Sequence, residues 1–365
     1  MYKKKFLLVE FTAHHRNALD NFKLFKKFFD CYFLIDKKNK DKIKLNKKKI
    51  IFKLPKIFIL FYIIFNGYKY RYIYFSTPHE YPDYPKGLIN NINFFYNFLL
   101  YTIILLIYNK KVILQLRGLH RYFPNINSRL NKPILYSNLR NIYLRQCKII
   151  VCESNYLKKK LINYLGKQNC SNKKIFTIYY AYPQKKLKIS FKFNKKKLNI
   201  GILGMVDEKR KNYQQLHNLL KNKYFLKKEV TLTFLGAANG AFAISKVKGF
   251  SKLCKRIISK EYFNDKEFLR FGNKCDFLIS LNNKTNFYGK YRMSGCFGDA
   301  ILLKKKLYCP DFEDPDRELS GFTFYFKKIE KIIRDIESSK KKTIIFDLLN
   351  YKYNINFIKN NLILE

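Results

Sequence analysis

The sequence has no tryptophan and few acidic residues, with 26 Asp and Glu against 74 Lys and Arg in 365 residues. The net charge of +48 favours anionic partners, namely nucleic acid, phosphorylated small molecules or an anionic lipid surface. The excess of Lys, Asn, Ile, Phe and Tyr is also typical of an AT-rich genome. Part of the charge therefore has a purely compositional origin.

Histidine is scarce and the cysteines are scattered. The five histidines and eight cysteines include no pair with CxxC spacing, which excludes a zinc site of the usual ligand spacing. No signal-peptide pattern opens the printed sequence, because Lys3–Lys5 lead only into the short run Phe6–Val9. We therefore expect free thiols and a cytoplasmic location.

Long hydrophobic runs are also missing. The best candidate, Ile92–Tyr108, has 17 residues and reaches about 25 Å as a helix, whereas a bilayer core measures about 30 Å. Asn93 and Asn97 interrupt it further. The segment is thus predicted to be a buried or membrane-surface helix, and the shorter Ile57–Phe65 a core segment.

Aromatic residues, by contrast, are abundant, and 29 Tyr, 35 Phe and a hydrophobic fraction of 47% exclude a disordered chain. The length suits two domains. Residues 1–190 contain 38 basic and 8 acidic side chains (net +30), and residues 191–365 contain 36 and 18 (net +18). Electrostatic attraction is expected to be stronger for the N-terminal half.

Apolar strand-like runs alternate with helical stretches, which predicts an α/β fold with parallel sheets. A basic connector at 182–197 interrupts this alternation, which then restarts. We predict an N-terminal domain over residues 1–190 and a C-terminal domain over 191–345, with 346–365 packing back on the first. The predicted strands are Phe6–Val9, Cys31–Ile35, Tyr72–Phe75, Lys111–Leu116, Ile149–Cys152, Leu198–Leu203, Val230–Leu235, Phe277–Leu281 and Leu307–Tyr308.

Ligands of open α/β sheets bind beyond the carboxyl ends of the strands. Gly204 follows one strand, and Lys209–Lys211 arrive at the start of the next helix, where cations and free helix amides suit a diphosphate. A solvated basic turn is the alternative. The small residues Gly236–Ala241 match neither GxGxxG nor a P-loop.

The stretch Cys275–Pro310 is the most informative. Ser294 and Gly295 open a predicted helix, and their hydroxyl and amides suit a phosphate. Asp299, about one turn further, is placed to accept hydrogen bonds from ribose hydroxyls.

The order of these features resembles that of retaining-type GT-B glycosyltransferases of family 4. Asp299-Ala300 stands where that family has its second Glu and Ala, and Lys304–Tyr308 where it has Gly-Lys-Pro-Val-Ile. Met205 and Lys211 stand in the places of its Arg and Lys. Tyr291 replaces the first Glu, the usual partner of the donor sugar. The resemblance implies two Rossmann-like domains facing a cleft.

The resemblance further implies a nucleotide-sugar donor bound by the C-terminal domain, with no metal ion or other cofactor, since basic side chains and helix dipoles neutralise the diphosphate. Asp314-Pro315-Asp316 has DxD spacing but is predicted to be a loop. The expected donor-binding residues are Gly204, Arg210, Lys211, Lys290, Ser294, Gly295 and Asp299.

Four of the five histidines follow predicted strands of the N-terminal half. His120 lies where the family often has a cleft histidine, so His120 and Asp299 are the predicted catalytic residues. For each histidine, a surface or capping role is the alternative. The expected acceptor-side residues are His14, His15, Thr77, His79 and Arg117.

The predicted function is transfer of a hexose-type sugar from a nucleotide sugar to a glycan or lipid-linked acceptor in cell-surface polysaccharide or lipopolysaccharide synthesis. We expect the protein to be peripheral on the anionic inner face of the cell membrane. A nucleic-acid-binding protein is one alternative, although no RRM, KH, helix-turn-helix or zinc-finger signature occurs, so no nucleic-acid partner is expected. Another nucleotide-binding two-domain α/β enzyme is the second alternative. With Tyr291 in place of the first Glu, the stereochemical outcome and activity itself stay open.

Overall fold

A computed structural model describes residues 3–11, 15–36, 50–54, 56–77, 88–123, 125, 134–178, 186–191, 196–238, 241–261, 263–284, 287–338, 342–347, 355–356 and 358–363. The chain divides into two compact units. The first comprises Met1–Gln184 together with Leu349–Glu365, and the second comprises Lys185–Leu348.

Strands and helices alternate along the first unit. Its strands are β1 (Lys5–Glu10), β2 (Asp30–Asp36), β3 (Ile50–Leu54), β4 (Tyr72–Phe75), β5 (Val112–Leu116), β6 (Ile149–Cys152) and β7 (Lys174–Thr177). Its helices are α1 (His15–Phe25), α2 (Lys56–Asn66), α3 (Leu88–Tyr108), α4 (Ile134–Gln146), α5 (Asn155–Leu165) and α6 (Lys167–Cys170), and a π-helical turn spans Lys359–Ile363.

The second unit repeats this build. Its strands are β8 (Lys186–Phe191), β9 (Lys197–Leu203), β10 (Glu229–Phe234), β11 (Arg256–Ile258), β12 (Phe277–Ser280), β13 (Leu307–Pro310), β14 (Thr323–Phe326) and β15 (Lys342–Asp347). Its helices are α7 (Tyr213–Leu220), α8 (Lys223–Leu226), α9 (Ala241–Lys248), α10 (Asp265–Lys274), α11 (Gly295–Leu303) and α12 (Lys331–Ser338).

Each unit has its own parallel sheet. Within the described ranges, the first sheet has the order β3-β2-β1-β4-β5-β6-β7 and the second β11-β10-β9-β12-β13-β14, while β8 and β15 form an antiparallel ribbon. The apolar runs predicted as strands are buried on both faces, as parallel strands between helices require. In the first unit, for example, the Phe6 ring stacks on Phe25 with centroids 4.4 Å apart.

Both sheets place their first strand in the middle and reverse the strand order beside it. The reversals lie between β1 and β4 and between β9 and β12. At such a topological switch point the loops diverge to opposite faces and leave a crevice beyond the carboxyl ends of the strands. These two edges are therefore where a ligand site is expected in each unit.

The N-terminus of α5 lies where its capping residue in the sequence predicts it. Ser154 begins α5 by accepting a hydrogen bond from the Leu157 amide at 3.1 Å. Leu157, Leu161 and Leu165, spaced by four residues, are the buried positions of that helix. The helix predicted over Asn155–Leu165 is thus anchored at both its cap and its apolar stripe.

The apolar segment predicted at Ile92–Tyr108 lies in α3. Its inner side is buried, with Leu100, Ile104 and Leu105 almost fully covered. In the described part of the chain, no helix combines the length and apolarity that crossing a membrane requires.

Candidate functional site

A turn at Gly204 follows β9 at the carboxyl ends of the strands of the second sheet. Gly204 has a φ of +81°, a left-handed conformation that favours glycine, and an added Cβ would lie 2.8 Å from Lys211 Nζ. A Cβ on Gly236, after β10, would lie only 2.0 Å from the Gly204 carbonyl oxygen. Both glycines are therefore required for the close packing of these two loops.

Lys211 links the loops that follow β9 and β12. Its side chain is only 5% exposed and donates to the Leu203 carbonyl at 2.8 Å and to Asn282 Oδ1 at 2.7 Å. The backbones of Lys211 and Asn282 also form an antiparallel bridge. Lys211 thus holds together the loops that follow β9 and β12, on the two sides of the switch point.

Asn282 extends this connection to the start of α11. Its Nδ2 donates to Ser294 Oγ at 3.1 Å, and the same Oγ caps the helix by accepting from the Cys296 amide at 3.4 Å. Ser294 is buried. Lys211, Asn282 and Ser294 therefore form one buried polar chain that fixes the N-terminus of α11 beside the ends of β9 and β12.

A buried carboxylate completes the network. Glu313, in the helical turn after β13, accepts a hydrogen bond from Ser280 Oγ at 2.6 Å. Burial raises the pKa of the Glu313 carboxyl above its ordinary value of 4.5, while the hydrogen bond from Ser280 and the positive charge of Lys211 oppose that rise. Segments following β9, β12 and β13 thus meet at one edge.

The raised pKa of Glu313 predicts a specific pH dependence. A folded-state pKa above the unfolded one adds stability that is complete below pH 4.5 and is lost as the pH rises through the folded value. The glutamine variant E313Q lacks this titration. We therefore expect the difference in unfolding free energy, E313Q minus the original protein, to increase with pH. Urea unfolding over a pH series measures the difference. The matched control is E330Q, at an exposed glutamate, and difference curves of equal slope for the two variants would contradict the prediction.

The N-terminus of α11 is open. Gly295, its first residue, is exposed, and among the described residues an added Cβ would meet no atom within 4 Å beyond its chain neighbours and its own helix. The first amides of a helix lack intrahelical partners and carry a partial positive charge. Asp299 is half-buried and, four residues on, lies on the same helix face one turn away.

Two predicted cations lie in the neighbouring loops. Arg210 is exposed, and its Nε lies 3.2 Å from Asp207 Oδ2. Lys290, in the loop between β12 and α11, is exposed, with its ammonium 5.5 Å from the centre of the Tyr291 ring. Of the predicted donor-binding residues, the structure joins Lys211 and Ser294 in one hydrogen-bond network, and Gly204 packs against Lys211.

The Asp-Pro-Asp segment is a turn with a structural role. The Asp314 carboxylate is buried and accepts hydrogen bonds from the amides of Glu318 at 3.1 Å and Leu319 at 2.9 Å, and from the Tyr325 hydroxyl. These bonds hold the turn that leads into β14, in agreement with the loop predicted from the sequence.

The switch point of the first sheet also has a buried polar network. Glu10, at the end of β1, accepts hydrogen bonds from Ser76 Oγ and from Thr77 Oγ1, the latter at 3.2 Å. Arg117 Nε, after β5, donates to the Ser76 carbonyl at 2.9 Å, and its buried Nη2 has no hydrogen-bond partner within the described ranges. Two predicted acceptor-side residues, Thr77 and Arg117, are therefore brought together.

The predicted histidines have different outcomes. His120 lies in the helical turn Leu119–Arg121, is 4% exposed and packs against Gly118, whose added Cβ would lie 3.0 Å from its Cε1. His15 is the first residue of α1. His14 and His79 lie outside the described residues.

Sequence reasoning missed Glu10, Ser76, Ser280, Asn282 and Glu313. The first four were visible as polar residues at or just after the ends of apolar strands, which is the signal that could have found them. Glu313 follows β13 by three residues and so carried the same signal, but nothing in the sequence pairs it with Ser280, which lies 33 residues earlier in the chain.

In sequence, the chain matches no protein-family model and none of the curated proteins. In structure, it is similar to S. aureus MnaA in complex with UDP, with a TM-score of 0.55 and 11% identity over 99% of this chain and 98% of the other. UDP-N-acetylglucosamine 2-epimerase from Rickettsia bellii gives a TM-score of 0.52 and 10% identity over 100% of both chains.

The pneumococcal O-GlcNAc transferase GtfA, in complex with UDP and GlcNAc, gives a TM-score of 0.52 and 7% identity over 100% of this chain and 94% of the other. At such low identities the likeness concerns the fold. The GT-B fold class predicted from the sequence is thereby confirmed, whereas membership of glycosyltransferase family 4 stays a prediction.

Proposed function

We propose that the chain binds a nucleotide sugar through the N-terminus of α11 and transfers its hexose-type sugar to a glycan or lipid-linked acceptor in cell-surface polysaccharide synthesis. One observation carries this proposal. The open helix N-terminus at Gly295 lies at the switch point of the second sheet, and the buried chain of Lys211, Asn282 and Ser294 fixes it there. UDP in the MnaA and GtfA structures supports the same ligand class.

The chemistry follows from the charge that develops on the leaving diphosphate. Amides of the first turn of α11, together with the exposed cations Arg210 and Lys290, neutralise that charge without a metal ion. Asp299 accepts hydrogen bonds from ribose hydroxyls. These groups stabilise the transition state more than the ground state, because the charge on the leaving group increases as the glycosidic bond breaks.

The acceptor is assigned to the first unit. Thr77 and Arg117 belong to the buried network at its switch point, and His120 lies in the turn that follows Arg117. The donor groups of Arg117 suit a carboxylate, a phosphate or sugar hydroxyls. His120 is the proposed base that takes the proton of the acceptor hydroxyl, with Asp299 as the second catalytic residue.

Epimerisation of a nucleotide sugar is the second candidate, favoured by the structural similarity to UDP-N-acetylglucosamine 2-epimerase. The two reactions differ in their products. Transfer releases the free nucleoside diphosphate in proportion to glycosylated acceptor, whereas epimerisation leaves the nucleotide sugar intact with one inverted carbon. Chromatography of the nucleotides after incubation with the donor, with and without acceptor, separates the two.

A thermal-unfolding screen against UDP-, GDP-, ADP- and dTDP-sugars tests the binding step. A cognate nucleotide sugar at 100 times its Kd is expected to stabilise the folded protein by about 2.7 kcal/mol. The free sugars serve as controls and are expected to give no shift, since they lack the diphosphate. If no nucleotide sugar shifts the melting temperature, and oligonucleotides bind with a steep salt dependence instead, a nucleic-acid-binding function replaces this proposal.

A further inference from the structure

Helix α3 has a second apolar stripe on the side opposite its buried one. Its members recur three, four or seven residues apart, which places them on one face of a helix. Leu99 is 55% exposed and Leu106 is 65% exposed. The exposed apolar residues of this stripe are Ile92, Phe95, Tyr96, Leu99, Leu106 and Ile107. The stripe runs for about 22 Å along the helix.

Exposed apolar residues of two neighbouring segments lie near the ends of α3. The Tyr108 hydroxyl donates to the Ile64 carbonyl at 2.8 Å, which places the ends of α2 and α3 together, and the exposed Phe65 and Tyr68 lie there. At the other end, the rings of Phe94 and Tyr136 are 4.7 Å apart, so α4 adjoins α3. We call the stripe with Phe65, Tyr68 and the exposed Ile134 and Leu135 of α4 the α3 surface.

The part of the sequence that contains α3 is rich in basic residues. Residues 84–152 contain ten Lys and Arg and no Asp or Glu. Lys69, Arg71 and Lys110 are exposed beside the ends of α2 and α3, and the Lys111 ammonium donates to the Tyr68 carbonyl at 3.1 Å. Exposed apolar side chains rimmed by cations fit the interface of an anionic bilayer, where the apolar groups enter the acyl boundary and the cations meet the headgroups.

We propose that the α3 surface docks on an anionic lipid bilayer, with α3 lying in the plane of the interface. The inference deepens the proposed function by specifying where the protein meets the membrane that holds a lipid-linked acceptor. A second copy of the chain is a poorer occupant, because a symmetric interface would bring two clusters of positive charge together.

Vesicle co-sedimentation tests the proposal with two matched pairs of substitutions. The test variant is Leu99→Glu with Leu106→Glu, and the control is Leu226→Glu with Leu269→Glu, which makes the same change at exposed leucines of the second unit. On vesicles of phosphatidylglycerol and phosphatidylcholine, the test variant is expected to bind at least about ten times more weakly than the original protein. The control is expected to bind as the original does, and phosphatidylcholine alone is expected to bind all three proteins weakly.

Equal binding of the test and control variants would overturn the proposal. Light scattering without vesicles would also overturn it if the original protein and the control variant were dimers and the test variant a monomer. Nucleotide-sugar protection, measured on the same samples, is expected to survive in both variants. If nucleotide sugars do not protect the original protein, the proposed function is contradicted, but the vesicle result is not affected. Failure of the proposed function and failure of the membrane proposal are therefore distinguishable.

Discussion

Replacing Gly295 by valine is expected to abolish protection by a nucleotide sugar without lowering the melting temperature of the unliganded protein. An added Cβ meets no atom of the described residues outside its own helix and chain neighbours within 4 Å, and Gly295 does not have a positive φ. Valine also has a higher helix propensity than glycine. The fold therefore tolerates the valine side chain. The same side chain would block a diphosphate from approaching the first amides of α11.

The expected size follows from linkage. At a ligand concentration of 100 times the original Kd, a hundredfold increase in Kd lowers the ligand-dependent stabilisation from about 2.7 to about 0.4 kcal/mol. Gly295→Ala adds one methyl group and is expected to cause an intermediate loss. Thermal unfolding of each variant with and without the ligand gives the comparison.

Gly166→Ala is the control with the opposite signature. Gly166 lies in the first unit with a φ of +77° and a ψ of 155°, and an added Cβ meets no described atom within 4 Å, so alanine strains the backbone there by about 1–3 kcal/mol. This variant is expected to melt earlier while keeping full protection by the nucleotide sugar. Full protection of Gly295→Val would instead show that the ligand does not approach the start of α11.

Lys211→Ala is expected to lower the free energy of unfolding by about 3 kcal/mol and to weaken nucleotide-sugar binding as a consequence. The substitution leaves the Leu203 carbonyl and Asn282 Oδ1 without their buried donor, at about 1–3 kcal/mol for each group. It also removes the positive charge that lowers the pKa of Glu313. Asn282 then no longer fixes Ser294, so the start of α11 is less well ordered for binding.

Lys209→Ala is the matched control, since Lys209 is exposed two residues earlier in the same loop. This variant is expected to unfold like the original protein in urea. Calorimetric titration with the nucleotide sugar completes the comparison. Unchanged stability of Lys211→Ala together with lost affinity would mean that Lys211 contacts the diphosphate directly, as the family resemblance implies, and does not stabilise the loops.

The sequence predicted the inner strands of both sheets and missed the outer ones. The unpredicted strands β3, β7, β11 and β14 are the edges of the two sheets. Edge strands border another strand on one side only and often carry charged residues. All three residues of β11 are exposed or half-buried, and two of the four in β7 and in β14 are half-buried. The hydrophobic signal of β7, β11 and β14 is therefore too weak to stand out, whereas β3 is an apolar run that the prediction overlooked.

The placement of three predicted residues at one edge of the second sheet could be predicted from the sequence, but their hydrogen bonds could not. Gly204, Lys211 and Ser294 follow or precede regular elements, so the strand-end rule located them. Whether a lysine faces solvent or the interior depends on partners far away in the chain, and Asn282 lies 71 residues from Lys211. Spacing in one sequence carries no such information.

The central position of β9 in the second sheet has a consequence for the order of folding. The loop after β9 acquires its partner Asn282 only when β12 pairs beside β9, and Ser280 acquires Glu313 only after β13 has been added. Such non-local pairings carry a large loop-closure entropy and form late. During synthesis on the ribosome, competence to hold a ligand at this edge should therefore arise only once residue 313 has left the exit tunnel.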